Sequence, residues 1–187
     1  MNNNKIILKY NAQEIDIPDY MKAWMRSNHA GETGAVWIYK GANCVFWSKR
    51  IRKMAVEHGK TEREHLIIME KLVPKNMRSR LILLWKIMGF CLGFLPSILG
   101  FRVFCATIHA VETFVEKHYN DQINLVENAH HNKNLLTLLK RCRDEEILHQ
   151  IDAYAKILNN SNNMFGNAWF KLIGLSSELA VNISKRI

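Results

Sequence analysis

Two short motifs constrain this chain more than any other feature: Glu62-x-x-His65 and Glu146-x-x-His149. Each stands in a strongly helical stretch. Three residues apart, Glu and His leave one face of a helix about a turn from each other. A carboxylate beside an imidazole suits a mid-row metal, iron or manganese, better than calcium or structural zinc. The motif alone is weak, because Glu and His fall at this spacing by chance in many helices. The upstream residues strengthen it. His29-Ala30-Gly31-Glu32-Thr33 is echoed by His109-Ala110-Val111-Glu112-Thr113. Each half of the chain thus carries a single Glu and then a Glu-x-x-His, 30 residues on in the first half and 34 in the second. A four-helix bundle uses such a set: one Glu from each of two helices, and a Glu-x-x-His from each of the other two, around a pair of irons. The metal-ligand candidates are Glu32, Glu62, His65, Glu112, Glu146 and His149. Their four carboxylates balance two ferrous ions, so a neutral buried site is attainable where an empty one is costly. A solvated helix face is the usual fate of any one Glu. It is a poor account of six ligand-type residues in this order.

The 187 residues suffice for one domain with a good core. About half are hydrophobic, only three are Pro, and no low-complexity run interrupts them. We therefore expect a single all-α domain over residues 1–187, with 1–16 as an N-terminal extension. The four cysteines, Cys44, Cys91, Cys105 and Cys142, form no C-x-x-C pair. A zinc ribbon, a rubredoxin centre and a thioredoxin site are excluded, and reduced, mostly packed thiols are expected. The N-terminus lacks the apolar core of a signal peptide and has no Arg before Arg26, unlike a transit peptide. The formal charge of +9 points to an acidic partner. No nucleic-acid-binding motif is present, and an anionic membrane surface fits better.

Six helices are expected: about Pro18–Trp47, Lys49–Leu72, Leu81–Leu99, Phe101–Asn128, Leu135–Leu158 and Phe165–Lys185. The first, second, fourth and fifth carry the ligand candidates and form the core bundle. The third and sixth are additions, the sixth docking on the bundle through an amphipathic face. Gly31 and Gly34 flank Glu32 at some cost in helix propensity, so close packing or space beside a metal is their expected use. His130 and His131 fall in a polar loop and read as exposed, and Asn159 to Asn163 reads as a break.

Residues 81–101 form an unusually apolar segment. A spanning helix needs about 20 uninterrupted apolar residues. Here Lys86 and Arg102 bracket only fifteen. Gly89, Gly93, Pro96 and Gly100 are expected to break the helix. An interfacial segment dipping into one leaflet fits better than a span, with Trp85 and Lys86 at headgroup level and Arg78 and Arg80 near anionic lipid. A buried hairpin is the competing reading.

HAGETGA around Glu32, EREH ending at His65, AVETFVEKHYNDQI around Glu112 and RDEEILH ending at His149 together resemble the demethoxyubiquinone hydroxylase family of ubiquinone biosynthesis. The resemblance runs from about Ile17 to the C-terminus, with the motifs in family order and spacing. It implies a ferritin-like di-iron bundle, peripheral membrane attachment and hydroxylation of a prenylated quinol ring at the penultimate step of the pathway. It also implies the six ligands named above, holding two iron ions that cycle between Fe2+ and Fe3+, with dioxygen as co-substrate. His118 and Tyr119 match the family's His-Tyr pair and are expected beside the iron or the substrate. A lipid-binding helper protein that presents the quinone is a further implied partner. The implied location is peripheral: the cytoplasmic side of a bacterial membrane, or the mitochondrial inner membrane in a eukaryote. His29 and His109, each three residues before a ligand Glu, read as packed or outer-shell groups. Glu116 reads as a surface carboxylate. Glu64 and Asp144 are candidates for orienting the imidazoles.

Ring hydroxylation needs activated dioxygen, which a diferrous centre supplies and side chains alone do not. No G-x-G-x-x-G follows a strand, so a Rossmann nucleotide site is not expected. Electrons then come from NADH at a non-Rossmann surface, from a partner or from the quinol itself. Two alternatives remain. A ferritin-like iron oxidase or storage subunit shares the Glu-x-x-His motifs but has no use for an apolar mid-chain segment. A metal-free membrane-surface scaffold explains the charge and the apolar helix but not the repeated ligand set.

Overall fold

A computed structural model describes residues 15–129, 132–157 and 164–187. The described residues contain six α-helices and no strand: α1 Lys22–Asn43, α2 Lys49–Leu72, α3 Ile82–Leu99, α4 Phe101–Asn128, α5 Lys133–Ile157 and α6 Met164–Ser184. The expectations for His130, His131 and the break at Asn159 to Asn163 lie outside the described residues. Helices α1, α2, α4 and α5 form a ferritin-like four-helix bundle, in which α1 packs on α2 and α4 on α5. Helix α3 lies along α1, and α6 packs on α4.

The ends of α2 and α3 follow from local chemistry. Val73 is extended (φ −103°, ψ 103°), as the residue before Pro74 prefers, and it closes α2. Gly100 takes φ 124°, a region that favours glycine, and turns α3 directly into α4. The end of α1 was expected near Trp47 but comes at Asn43. No Gly or Pro follows Asn43. The chain instead turns so that Val45 is fully buried in the core, leaving Phe46 and Trp47 exposed.

Helix α3 corrects one expectation. It runs unbroken through Gly89, Gly93 and Pro96, and only Gly100 ends it. The reason is packing. A Cβ on Gly89 would stand 2.3 Å from the Gly34 carbonyl oxygen, and one on Gly93 would stand 1.8 Å from that of Ile38. The glycines thus let two backbones touch, and this contact holds the helix through Pro96 despite the lost ladder bond. As expected, α3 is added to the four-helix core, and it packs there through a buried face of Trp85, Gly89, Gly93, Pro96 and Ser97. Its other face, including Leu83, Ile87, Leu95 and Leu99, is exposed. The two expected uses of the glycines flanking Glu32 divide between them: Gly34 meets α3, whereas Gly31 borders open space.

The core falls into two apolar clusters. One gathers Ile38, Met54, Phe104 and Ile108 with their neighbours, and the other Met25, Met69, Ile123 and Leu139 with theirs. Cys105 and Cys142 are buried within them, whereas Cys44 and Cys91 are exposed, so only half the thiols are packed. All four are free.

Candidate metal centre

All six ligand candidates are buried and converge. Glu32, Glu62, His65 and Glu146 place ligand atoms within 4.8 Å of one another, and so do Glu62, Glu112, Glu146 and His149. Glu62 and Glu146 belong to both groups, so two ions held there would share them. The helices set this geometry through spacing. On α2, Glu62 and His65 share one buried face with Met69 and Leu72. On α5, Glu146 and His149 share theirs with Cys142 and Ala153. His65 Nδ1 lies 2.9 Å from Glu146 Oε1 and 3.6 Å from Glu32 Oε2. His149 Nδ1 lies 3.2 Å from Glu146 Oε2 and 3.0 Å from Glu62 Oε1. The second contact is close but poorly aligned for a hydrogen bond, and both Glu62 oxygens are left without one.

Those orphaned oxygens, with Glu32 Oε2, are the observation that fits a metal. Buried carboxylate oxygens without partners cost free energy unless a cation or proton answers them. At Glu62 the answer is a proton. Burial first, and Glu146 second, push the Glu62 carboxyl up to about 8. Burial and the Glu146 and Glu62 charges likewise raise Glu112. For Glu146, burial pushes upward, but the His65 charge and hydrogen bonds from both imidazoles outweigh it and bring the group down to about 2. For His149, burial pushes downward, but the hydrogen bond to Glu146 and the close Glu62 carboxylate win and hold it at about 11. The protonated imidazoles thus stand where cations would, and a metal would release those protons. The donor set of four carboxylates and two imidazoles suits iron or manganese.

A further layer of side chains holds these groups. His65 Nε2 donates to Glu145 Oε2 at 2.7 Å, and Arg141 Nε holds Glu145 at 3.0 Å. The His149 ring stacks on His58 with centroids 4.2 Å apart and planes at 10°. His58 Nε2 is 2.8 Å from Asp152 Oδ2, and Asp152 also pairs with Lys156. Tyr119 donates to Glu32 Oε1 at 2.6 Å, and Tyr39 to Glu112 Oε1 at 3.3 Å.

The family described as ubiquinone biosynthesis protein COQ7 matches residues 19–184 of this chain. The chain belongs to that family. A mitochondrial NADPH-dependent 3-demethoxyubiquinone 3-hydroxylase of Dictyostelium discoideum is 32% identical over 155 residues, covering 79% of this chain and 71% of that protein. The Homo sapiens protein of the same description is 34% identical over 129 residues, covering 67% of this chain and 59% of its own length. A 3-demethoxyubiquinol 3-hydroxylase of Rhodospirillum rubrum is 30% identical over 135 residues, covering 71% and 63%.

Within this COQ7-family chain, the expected orienting carboxylates need correction. Asp144 is exposed and pairs with Arg143, and Glu64 stands outside the ligand groups. Glu145 takes the role, because its position on α5 faces His65 across the bundle. Sequence reading also missed Tyr39, His58 and Asp152. Spacing contained a signal for each: His58 is four residues before Glu62, Tyr39 seven after Glu32, and Asp152 three after His149. His109 does not bond Glu112. It packs against the rings of Tyr154 and Phe170. His29 is buried with both ring nitrogens unpartnered, and burial, with Arg78 second, pushes it down to about 4. Glu116 accepts from Gln150 Nε2 at 3.2 Å, outside the cluster. Of the expected His-Tyr pair, Tyr119 reaches a ligand carboxylate, and His118 instead bonds Asn28.

A cavity of about 420 Å³ opens beside the cluster. Glu32, Glu62, Glu112 and Glu146 floor it, Trp85, Gly89, Leu92 and Pro96 of α3 wall one side, and Ala180 and Val181 of α6 wall another. Its remaining lining is mostly apolar, with Ser27, Asn28, His118, Tyr119 and the α6 serines Ser176, Ser177 and Ser184 among the polar exceptions.

Proposed function

We propose that this chain is a di-iron monooxygenase that hydroxylates the ring of demethoxyubiquinol at the penultimate step of ubiquinone biosynthesis, a 3-demethoxyubiquinol 3-hydroxylase. One observation carries the reading: the four carboxylates of the metal-ligand groups are also the floor of an apolar cavity large enough for a quinol ring. The relatives' names give the reaction. The storage alternative has no use for such a cavity, and the scaffold alternative leaves six buried ligand-type side chains without a purpose.

Glu32, Glu62, His65, Glu112, Glu146 and His149 would hold two irons, which when bound supply the dioxygen activation and electron transfer that side chains lack. The rest falls to this chain's own groups. Tyr119 and Tyr39 fix one oxygen each of Glu32 and Glu112. Glu145 sets the orientation of the His65 ring, and the stacked His58 does so for His149. The apolar walls exclude water and hold the ring against the carboxylates. A reduced nicotinamide nucleotide is the electron source we favour, since the eukaryotic relatives are named NADPH-dependent.

The substrate tail needs lipid. Helix α3 spans 18 residues with a mean hydropathy of 1.9, enough by length and composition to cross a bilayer. Its glycine face is committed to α1, so we assign it to the interface, lying on an anionic membrane with Leu83, Ile87 and Leu99 inserted. Helix α6 walls the other side of the cavity, and its exposed Leu172, Leu175 and Leu179 are assigned to the same membrane surface. Peripheral attachment to a bacterial cytoplasmic membrane or a mitochondrial inner membrane, with a lipid-binding helper protein, completes the proposal. We treat residues 1–187 as one hydroxylase domain. The test is the quinone profile of a bacterial strain lacking its own hydroxylase. This chain should restore ubiquinone, and the His149→Ala variant should leave demethoxyubiquinone. Accumulation of demethoxyubiquinone with the iron-loaded parent chain would sink the assignment.

A further inference from the structure

The cavity has a second polar corner that the carboxylate cluster does not use. His118 of α4 stands there, with Trp24 at 5.1 Å and Phe114 at 6.0 Å between ring centroids. Its Nε2 faces two acceptors. Asn28 Oδ1 is 3.0 Å away. Ser27 Oγ is 3.3 Å away, and its own proton goes to the Trp24 carbonyl at 2.7 Å. The direction of the Asn28 amide is fixed in turn. Gln122 Nε2 donates to the His118 backbone carbonyl at 3.1 Å, a group that can only accept. With Gln122 so oriented, its Oε1 accepts from Asn28 Nδ2 at 2.8 Å and its Nε2 donates to Asn28 Oδ1 at 3.0 Å. Both amides are locked, and the Asn28 oxygen must face the imidazole.

The ring proton therefore sits on Nε2, and Nδ1 keeps its lone pair. Burial, with Lys185 adding to it, pushes the imidazole down to about 3, so the ring is neutral. Nδ1 has no hydrogen-bond partner among the described residues. Unlike His109 Nδ1, it is not sealed off within the protein, and His118 lines the cavity. A buried acceptor with an open lone pair recognises a donor.

We propose that the Gln122–Asn28 amide pair sets the His118 tautomer so that Nδ1 accepts a hydrogen bond from a ring hydroxyl of the bound quinol, and that this makes the cavity prefer quinol over quinone. The inference rests on the cavity being the quinol site. A quinol hydroxyl can donate to Nδ1, whereas a quinone carbonyl presents a lone pair to a lone pair. Asn28 and Gln122 are positioning residues, acting through His118.

The test uses the full-length chain loaded with zinc, which occupies the metal groups without converting either form. Binding of short-tailed demethoxyubiquinol and of its quinone is followed by tryptophan fluorescence, and the His118 ring nitrogens by 15N NMR. The parent chain should bind the quinol about tenfold more tightly than the quinone, roughly the value of one hydrogen bond gained and one acceptor clash avoided. NMR should report the proton on Nε2. Gln122→Met and His118→Phe should bring the binding ratio towards one by weakening the quinol. Equal weakening of both forms would show a merely structural role and overturn the proposal, as would an unchanged ratio or a proton on Nδ1. If the parent chain binds neither form, the quinol reading of the cavity fails and takes this inference with it.

Discussion

Each imidazole of the candidate centre bonds through a ring nitrogen to Glu146, which makes His65 and His149 the most informative single residues. His65→Ala or His149→Ala should lower iron occupancy and abolish turnover while leaving helical content largely intact. Iron analysis and circular dichroism together check this, and full loading of the Glu62→Ala, His65→Ala double variant would remove the ligand assignment. Glu145→Gln probes a subtler point. Losing an outer carboxylate on a ligand histidine costs about 10–100-fold in metal affinity or activity. A competition titration with a chelator should show a loss of that order, whereas Asp144→Asn should show none. All six ligand candidates were readable in the chain, because helical spacing and the repeated order are properties of sequence. The groups behind them were not. Glu145 and Asp144 are neighbours, and only the packing of α5 against α2 decides which meets His65.

At the scale of elements, α3 separates what pattern reveals from what contact decides. Its apolar character and its end at Gly100 follow from composition and a single residue. Its continuity through Pro96 does not, since the glycine contacts that hold it are with another helix. Gly93→Ala should be destabilising, because Ile38's carbonyl already occupies the place of the new Cβ. An overpacked core costs about 1–3 kcal/mol. For a chain of this size that is a fall of about 2–4 °C in Tm per kcal/mol. Gly31→Ala, where a Cβ meets nothing within 4 Å, serves as the control. The proposed membrane contact uses the opposite face of the same helix. Replacing exposed Leu83, Ile87 and Leu99 with Ser should move the protein from the membrane fraction to the soluble one. High salt alone should release only part of it, because salt screens the basic residues and not apolar insertion. A triple variant that still sediments with membranes would remove α3 as the anchor.

For the whole molecule, the buried charges predict how stability depends on pH and metal. The folded pKa of Glu62 is raised to about 8 and that of His149 to about 11. A raised folded pKa contributes stability that is complete below the group's ordinary value and lost as pH climbs through the folded one. The Tm of metal-free protein should therefore fall between pH 7 and pH 9, above the window of about pH 4 to 6.5 in which the lowered imidazoles of His29, His58 and His118 add stability as pH rises. Glu146 acts oppositely, but its window lies below its ordinary value of 4.5, outside this range. Iron-loaded protein should give a flatter profile, since metal displaces those protons, and calorimetry in buffers of different ionisation heat should detect their release. A metal-free Tm that rises between pH 7 and pH 9 would contradict the charge arrangement.

The most direct test of the whole account follows one oxygen atom. The quinol ring carbon is electron-rich and resists attack by a metal-bound hydroxide, the route by which water would supply the oxygen. Cells lacking their own hydroxylase and expressing this chain should be grown under labelled dioxygen, and the ubiquinone mass measured. The account predicts one heavy atom in the new ring oxygen, and none in the His149→Ala variant. A label arriving from water instead would contradict it.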